Sequence, residues 1–207
     1  MQGTTKATIT KPFYIGVYEV TQTEWKAVMG SLPENKKTEG DDMPAQGVSW
    51  NAVTEFCQKL SNMPDEKANG CVYRLPTETE WEYACRAGTN TEFFFGDDAS
   101  KFGEYAWFRD NAGGHIHPVG TKQPNPNGLY DVYGNVHEWC SDWLGDLPGE
   151  TADYQGPKQA TDENKYKVSR GGGFTAYPSF FFKNKRVATA GTGNWYSLGL
   201  RVVMTKN

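Results

Sequence analysis

Residues 73–85, YRLPTETEWEYAC, decide the fold class of this chain. Leu75-Pro76 is an extended lead-in, because the residue before a proline avoids the helical region. Thr77 and Glu80 then form a capping box, in which each side chain accepts a hydrogen bond from the backbone N–H of the other residue. An extended segment that runs directly into a capped helix is typical of a chain that mixes strands and helices.

Two further helices are predicted from similar signals. Thr21 and Glu24 form a capping box for a helix that ends near Met29, before Gly30. Ser49 caps another helix, in which apolar residues recur at helical spacing.

The other segments predict short strands and much loop. Extended stretches are indicated at residues 13–20, 168–170 and 198–203. Residues 124–128 give a strong turn signal, and residues 145–165 look like a long loop. We found no internal repeat and no linker at a composition break. The sequence therefore predicts one α+β domain over residues 1–207.

Composition excludes some functional classes. The 207 residues are 37% hydrophobic and 14% aromatic, which is enough for a core rich in rings. The net charge of −4 disfavours nucleic acid or an anionic membrane as partner. No apolar run has the length of a membrane span, and no signal peptide is recognisable. A leader that was removed is left as an open alternative.

Four cysteines allow two redox interpretations: Cys57, Cys71, Cys85 and Cys140. They either form two disulfides, with three possible pairings, or remain buried thiols. Their spacing does not resemble a disulfide-dense framework, which favours thiols.

The segment from Ser169 to Val203 has glycine-rich ends and a run of rings and hydroxyl side chains between them. From Ser169 to the C-terminus there is no cysteine, histidine or acidic residue. This composition suits a binding surface and leaves little for acid–base or nucleophilic catalysis. The rings either fill the core or form an exposed patch, and Pro178 with the neighbouring glycines favours exposed loops.

We predict that two windows, residues 174–182 and 186–197, converge on one solvent-facing binding surface. Its members are Phe174, Thr175, Ala176, Tyr177, Ser179, Phe181, Thr189, Thr192, Asn194, Trp195, Tyr196 and Ser197. The rings expected at its centre are Tyr177, Phe181, Trp195 and Tyr196. The tryptophans expected to build the core are Trp25, Trp50, Trp81 and Trp139.

Five segments, in order along the chain, resemble the formylglycine-generating enzyme (sulfatase-modifying factor) family. They are residues 17–25, 44–51, 73–84, 127–139, and Arg170-Gly171-Gly172 with Leu198-Gly199-Leu200-Arg201. The resemblance spans almost the whole chain. It implies a C-type-lectin-like fold with few regular elements, and often bound calcium.

The resemblance also implies that the catalytic centre of that family is missing. Its enzymes carry two copper-binding cysteines after the Gly-Gly pair, and the matching positions here are Ala176 and Phe181. Neither residue can bind copper or form a redox pair. Disulfide partners of the family fall near Arg186 and Val202, so those pairings are not expected either.

By the same resemblance, Asp131 and Glu138 fall at calcium ligands, with Gly134 and Val136 supplying carbonyl oxygens. Carboxylates and carbonyls from one tight loop suit calcium. Ordinary turn chemistry, with Glu138 bonded to backbone, is the alternative. The pattern of His115, His117 and His137 is a weak zinc signal, and a structural or surface role is expected for them.

A second resemblance is to bacterial retroelement-diversified variable proteins, which use the same scaffold. Mutation at adenines turns their AAC codons into NNC, which cannot encode Lys, Glu, Gln, Met or Trp. Residues 174–182 contain none of these five, and in residues 186–197 only Trp195 does. The alternative is chance together with ordinary loop composition.

The variable-protein resemblance implies a non-enzymatic binding protein with a variable segment at residues 170–203. The expected partner is an unknown protein or other macromolecule, and we expect a monomer that is exported and displayed at the cell surface, without direct membrane insertion. No cofactor is required, and calcium is the candidate for a structural ion. The alternatives are an oxidase-like enzyme of the parent family and a structural subunit of a surface assembly.

Overall fold

The computed structural model describes residues 7–146, 151–157, 165–181 and 186–206. Its helices are α1 (Gln22–Met29), α2 (Trp50–Ser61), α3 (Pro64–Ala68), α4 (Glu78–Arg86), α5 (Phe102–Tyr105) and α6 (Pro178–Phe181). Its strands are β1 (Ala7–Thr8), β2 (Tyr14–Ile15), β3 (Cys71–Arg74), β4 (His137–Trp143), β5 (Thr151–Ala152), β6 (Tyr166–Arg170), β7 (Val187–Ala190), β8 (Leu198–Gly199) and β9 (Val203–Lys206). The predicted α+β class is confirmed.

The three predicted helices begin at their predicted caps. Thr21 accepts a hydrogen bond from the backbone N–H of Glu24, and Glu24 reciprocates. Thr77 and Glu80 form the same box at the start of α4. Ser49 caps α2 by accepting from the backbone N–H of Ala52. No helix in the described part of the chain is long and apolar enough to cross a membrane.

The strands form three small sheets. The first pairs β1 with β5 in parallel, and the second has the order β2-β9-β3 with antiparallel pairing throughout. The third has the order β7-β6-β4-β8, in which β4 and β8 are parallel and the other neighbours antiparallel. This third sheet supports both ends of the C-terminal segment.

Two predicted strands are shorter than the sequence indicated. Of residues 13–20 only β2 is a strand, and residues 198–203 divide into β8 and the start of β9. Gly16 and Val20 still donate to the carbonyls of Val202 and Leu200, so these segments run together through single bonds instead of a ladder. Within the predicted loop 145–165, the described residues contain β5, and residues 147–150 and 158–164 lie outside the described part.

The core is rich in rings, as predicted. Trp25, Trp81 and Trp139 are buried, whereas Trp50 is only partly buried and packs at the edge of the cluster around Trp25 and Trp139. The indole N–H of Trp139 donates to the carbonyl of Val48 at 2.9 Å, which satisfies its one polar group.

All four cysteines are buried free thiols, which confirms the thiol prediction. Burial raises the pKa of Cys57 and of Cys85 to about 12. A thiol with so high a pKa is a poor nucleophile and a poor metal ligand. The cysteines therefore serve as small apolar residues in the core.

Candidate binding face

The first window follows directly from strand β6. The chain leaves β6 through Gly171 and Gly172, whose φ angles of +83° and +72° lie in the left-handed region. The backbone N–H of Phe174 then donates to the carbonyl of Asn135 at 2.9 Å. This bond holds the window against the loop that precedes β4.

The second window joins β7 to β8. Gly193 donates to the carbonyl of Ala190 at 2.7 Å and closes the turn after β7. At the other end, the backbone N–H of His137 donates to the carbonyl of Ser197 at 2.7 Å. Both windows are therefore bonded to residues 135–137, one on each side.

The structure brings the two windows together at one place. The rings of Phe174 and Tyr196 lie 5.7 Å apart between centroids. A Cβ added to Gly173 would lie 3.2 Å from the Cβ of Ser197, so the two backbones approach closely. The two windows therefore meet, although β7 at the start of the second window separates their exposed residues along the chain.

Seven of the predicted members are exposed, and we call this set the binding face. It consists of Thr175, Tyr177, Ser179, Thr192, Asn194, Trp195 and Tyr196. Tyr177 and Trp195 expose 57% and 55% of their surface, and Tyr196 exposes 38%. Large rings exposed this far and placed together are typical of an interaction site. Ala176 lies beside them and is half-buried.

The prediction that Phe181 is an exposed ring is wrong. Phe181 is 2% exposed and packs on Phe102, with 4.5 Å between the ring centroids. It ends the one-turn helix α6, which points the ring inward. Gly172 makes room for it, because a Cβ there would lie 2.5 Å from the Phe181 ring. Phe182, the next residue, lies outside the described residues.

Three further predicted members are buried, and their exposure was also predicted wrongly. Phe174 packs in a small cluster with Ile116 and Val136. Thr189 is the inward residue of β7 and lies 3.4 Å from the hydroxyl of Ser169. Ser197 is 7% exposed because its backbone is bonded to β4. These buried residues support the loops that carry the binding face.

Two cations flank the binding face, and the sequence analysis missed both. The Nζ atom of Lys37 lies 4.0 Å from the centre of the Tyr196 ring. The Cζ atom of Arg109 lies 4.2 Å from the centre of the Tyr177 ring. Both residues lie far from the C-terminal segment in sequence, and no local signal connects them to it.

The positions that carry the catalytic cysteines in the enzymes hold no redox-active group. Ala176 donates its backbone N–H to Gly173, and Phe181 belongs to the core. At the predicted disulfide positions, Arg186 forms an ion pair with Glu78 at 2.7 Å and Val202 is half-buried. Neither Ala176 nor Phe181 has a side chain that could bind copper.

Glu138, one of the predicted calcium ligands, is already paired. The fully buried Arg201 donates to both of its carboxylate oxygens, with Nη2 2.8 Å from Oε1. The indole N–H of Trp81 donates to Oε2 at 2.6 Å. Charge-assisted bonds of this kind satisfy the carboxylate without a metal ion.

Two further carboxylates, Glu19 and Asp131, are buried near Arg201. Desolvation raises the pKa of Glu19 well above its ordinary value, and the charges of Asp131 and Glu138 raise it further. Burial also raises the pKa of Asp131, although the charges of Arg201 and Lys122 oppose this. Raised pKa values favour the protonated form of both carboxyl groups.

The residues present fit calcium only in part. Asp131 is buried, its Oδ2 accepts from the backbone N–H of Gly120, and its Oδ1 has no partner among the described residues. Gly134 has φ +82° and turns the loop. Within the described ranges, no three His, Cys, Asp or Glu side chains are grouped to hold a metal. Of the two predicted carboxylate ligands, Asp131 offers an oxygen without a partner and Glu138 is fully paired.

The three histidines are not brought together. His117 stacks on Trp107 with 3.7 Å between centroids, and His115 lies beside it at 4.6 Å. His137 lies on β4, where burial lowers its pKa to about 4. His137 thus lies apart from the other two rings, and the three do not form a zinc site among the described residues.

Known proteins share this architecture over nearly the whole chain. The sequence matches the sulfatase-modifying factor enzyme 1-like domain over residues 2–206. Chaperone protein LppX of Paenibacillus barcinonensis is 32% identical, and the match covers 94% of this chain and 80% of that protein. The formylglycine-generating enzyme of Bos taurus is 29% identical over 82% of this chain, which spans only 44% of the enzyme.

A solved structure is also similar. Treponema denticola variable protein 1 superposes with a TM-score of 0.84 and 29% identity, covering 96% of this chain and 86% of that one. Fold and surface thus define the class, a C-type-lectin-like α+β scaffold that carries an exposed loop face. Within that class, the chain belongs to the sulfatase-modifying factor family.

Proposed function

We propose that this chain is a non-enzymatic ligand-binding protein whose variable C-terminal segment, residues 170–203, carries the binding face. The observation behind this proposal is the exposure of Tyr177, Trp195 and Tyr196 on two windows that meet where the Phe174 and Tyr196 rings pack. The likeness to Treponema denticola variable protein 1 supports it, since that protein is named for its variability.

The physics of the site favours recognition by interchangeable side chains. The Asn135 carbonyl accepts from Phe174 and the His137 N–H donates to Ser197, so the backbone of both windows is held and little conformational entropy is lost on binding. Buried residues such as Phe174 and Phe181 support the loops, while exposed residues can change without repacking the core. Rings with one polar edge supply large contact area at low entropic cost.

Catalysis of the parent family is not part of this proposal. Ala176 and Phe181 take the place of the two cysteines, and the four thiols of the chain are buried elsewhere. A protein or other macromolecule is a better candidate ligand than a small substrate, because the binding face is an exposed surface of rings. We also propose that the protein acts as a monomer displayed at the cell surface.

Calcium has a structural role at most in this proposal. The buried Oδ1 of Asp131, which has no partner among the described residues, is what a calcium ion would contact. Gly134 and Val136 would add carbonyl oxygens. Glu138 would have to share its oxygens with Arg201 and Trp81.

The proposal is tested by sequencing the gene from many clones of the population that carries it. We expect amino-acid changes at codons of the binding face, and at adenine positions of a matching template repeat. The codons of α2 serve as the control segment, because they are of similar number and encode a helix that packs in the core. Changes spread evenly over both segments would contradict a variable face.

A further inference from the structure

Lys37 and Arg109 give the binding face one cation at each window. Lys37 lies against the Tyr196 ring of the second window, and Arg109 against the Tyr177 ring of the first. Neither cation comes from residues 170–203. The scaffold therefore contributes charge to a surface whose rings belong to the C-terminal segment.

No carboxylate pairs with either cation within the described residues. Of the six arginines in the sequence, five form ion pairs, and Arg109 has none there. Lys36 pairs with Glu39, whereas its neighbour Lys37 has no acidic partner in the same part of the structure. Both cations are therefore available to a carboxylate of a partner beside the exposed rings.

Backbone bonds of the scaffold fix where both cations stand. The backbone N–H of Arg109 donates to the carbonyl of Ala176 at 3.1 Å, which ties it directly to the first window. Lys37 precedes Thr38, whose carbonyl accepts from the side-chain amides of Gln22 at 2.7 Å and Gln46 at 3.3 Å. Both glutamines are buried, so the loop that carries Lys37 is anchored to the core.

We propose that the binding face takes an acidic protein segment, whose Asp or Glu carboxylates pair with Lys37 and Arg109. This inference rests on the proposed function and adds the chemistry of its partner. Arg109 can bind a carboxylate through two parallel N–H groups, and Lys37 acts as a point charge. Apolar side chains of the same segment lie on Tyr177 and Trp195. The cations stay in place when residues 170–203 change, so they act as a constant anchor beneath varying specificity.

The test uses a phage library of random twelve-residue peptides, selected on the immobilised whole chain. We expect the bound peptides to be enriched in Asp and Glu beside apolar residues. A synthetic peptide from this selection should bind about tenfold more weakly for each cation removed in Lys37→Gln with Arg109→Gln, because a charge-assisted contact is lost. Its binding should also weaken as salt is raised.

The control variant carries Lys67→Gln with Lys206→Gln. Both lysines are exposed and lie on α3 and β9, so the net charge changes equally while the binding face keeps its cations. Thermal unfolding of every variant checks that the fold is intact. An equal loss of affinity in the control would assign the effect to net charge and overturn the inference.

The remaining outcomes separate the two proposals. If the wild-type chain enriches no peptide beyond a variant with Tyr177, Trp195 and Tyr196 all changed to Ser, both the binding face and its acidic partner are refuted. If it enriches peptides without an acidic excess, or if the Lys37 and Arg109 variant binds them equally well, only the acidic partner is refuted.

Discussion

Replacing Phe181 by Ala should destabilise the protein far more than replacing Tyr177 by Ala, although the two rings are only four positions apart. Phe181 is 2% exposed and contacts Phe102 and Tyr133, with 4.5 Å and 6.2 Å between centroids. Loss of a ring buried this completely costs about 3–5 kcal/mol, part of it from the cavity that remains.

Tyr177 has much less to lose. It exposes 57% of its surface, so less than half of the burial of about 1.5–3 kcal/mol for a large side chain is at stake. Its contact with Arg109 at 4.2 Å adds about 0.5–1 kcal/mol. Together these terms give a loss of at most about 2 kcal/mol for Tyr177→Ala.

The assay is urea unfolding followed by tryptophan fluorescence, with the free energy extrapolated to water. If Phe181→Ala does not fold, Phe181→Leu provides a milder change at the same position. The reasoning fails if Tyr177→Ala costs as much as Phe181→Ala, because the first window would then be core and the binding face would lose its first ring.

Four further predictions follow from the site. The chain should not convert the cysteine of a sulfatase peptide to formylglycine, with or without copper, because Ala176 and Phe181 replace the thiols; product seen by mass spectrometry would overturn the non-enzymatic proposal. Calcium should raise the melting temperature by mass action, and Asp131→Ala should abolish the rise. If calcium causes no shift in protein first treated with a chelator, the loop of Asp131 and Glu138 does not bind calcium and makes only ordinary turn contacts. Changing Tyr177, Trp195 and Tyr196 together to Ser should leave the circular dichroism spectrum unchanged, since the core retains Trp25, Trp81 and Trp139; an unfolded spectrum would place these rings in the core. Burial raises the pKa of Asp142 from 3.8 to about 6, so its contribution to stability is present at low pH and is lost as pH rises to about 6; Asp142→Asn should therefore stabilise the protein more at pH 8 than at pH 4, by up to about 3 kcal/mol, and an equal effect at both pH values would contradict this.

Local signals in the sequence were sufficient for the helices and much of the core. The caps at Thr21, Ser49 and Thr77 act within four residues, so their hydrogen bonds can be read without tertiary information. The ring-rich composition also predicted an aromatic core, and Trp25 and Trp139 are buried in it.

The binding face was harder to predict, because exposure depends on distant partners. Whether Phe181 points inward is decided by Phe102, which lies far away in sequence. Lys37 and Arg109 join the face only through tertiary contacts, so no periodicity or motif reveals them. The sequence predicted that Tyr177 and Trp195 are exposed. The buried residues that support them could be identified only from the folded structure.

The place of β9 in its sheet has a consequence for biosynthesis. β9 lies between β2 and β3, so residues 203–206 complete a sheet whose other two strands emerge from the ribosome much earlier. Arg201, just before it, bonds the carbonyls of Gly16 and Val17 and the carboxylate of Glu138. During synthesis, β2 and β3 therefore lack the strand that pairs with both of them until residues 203–206 have been made. Pairing of β9 is thus a late, non-local step in folding, and the same step sets the C-terminal segment in place.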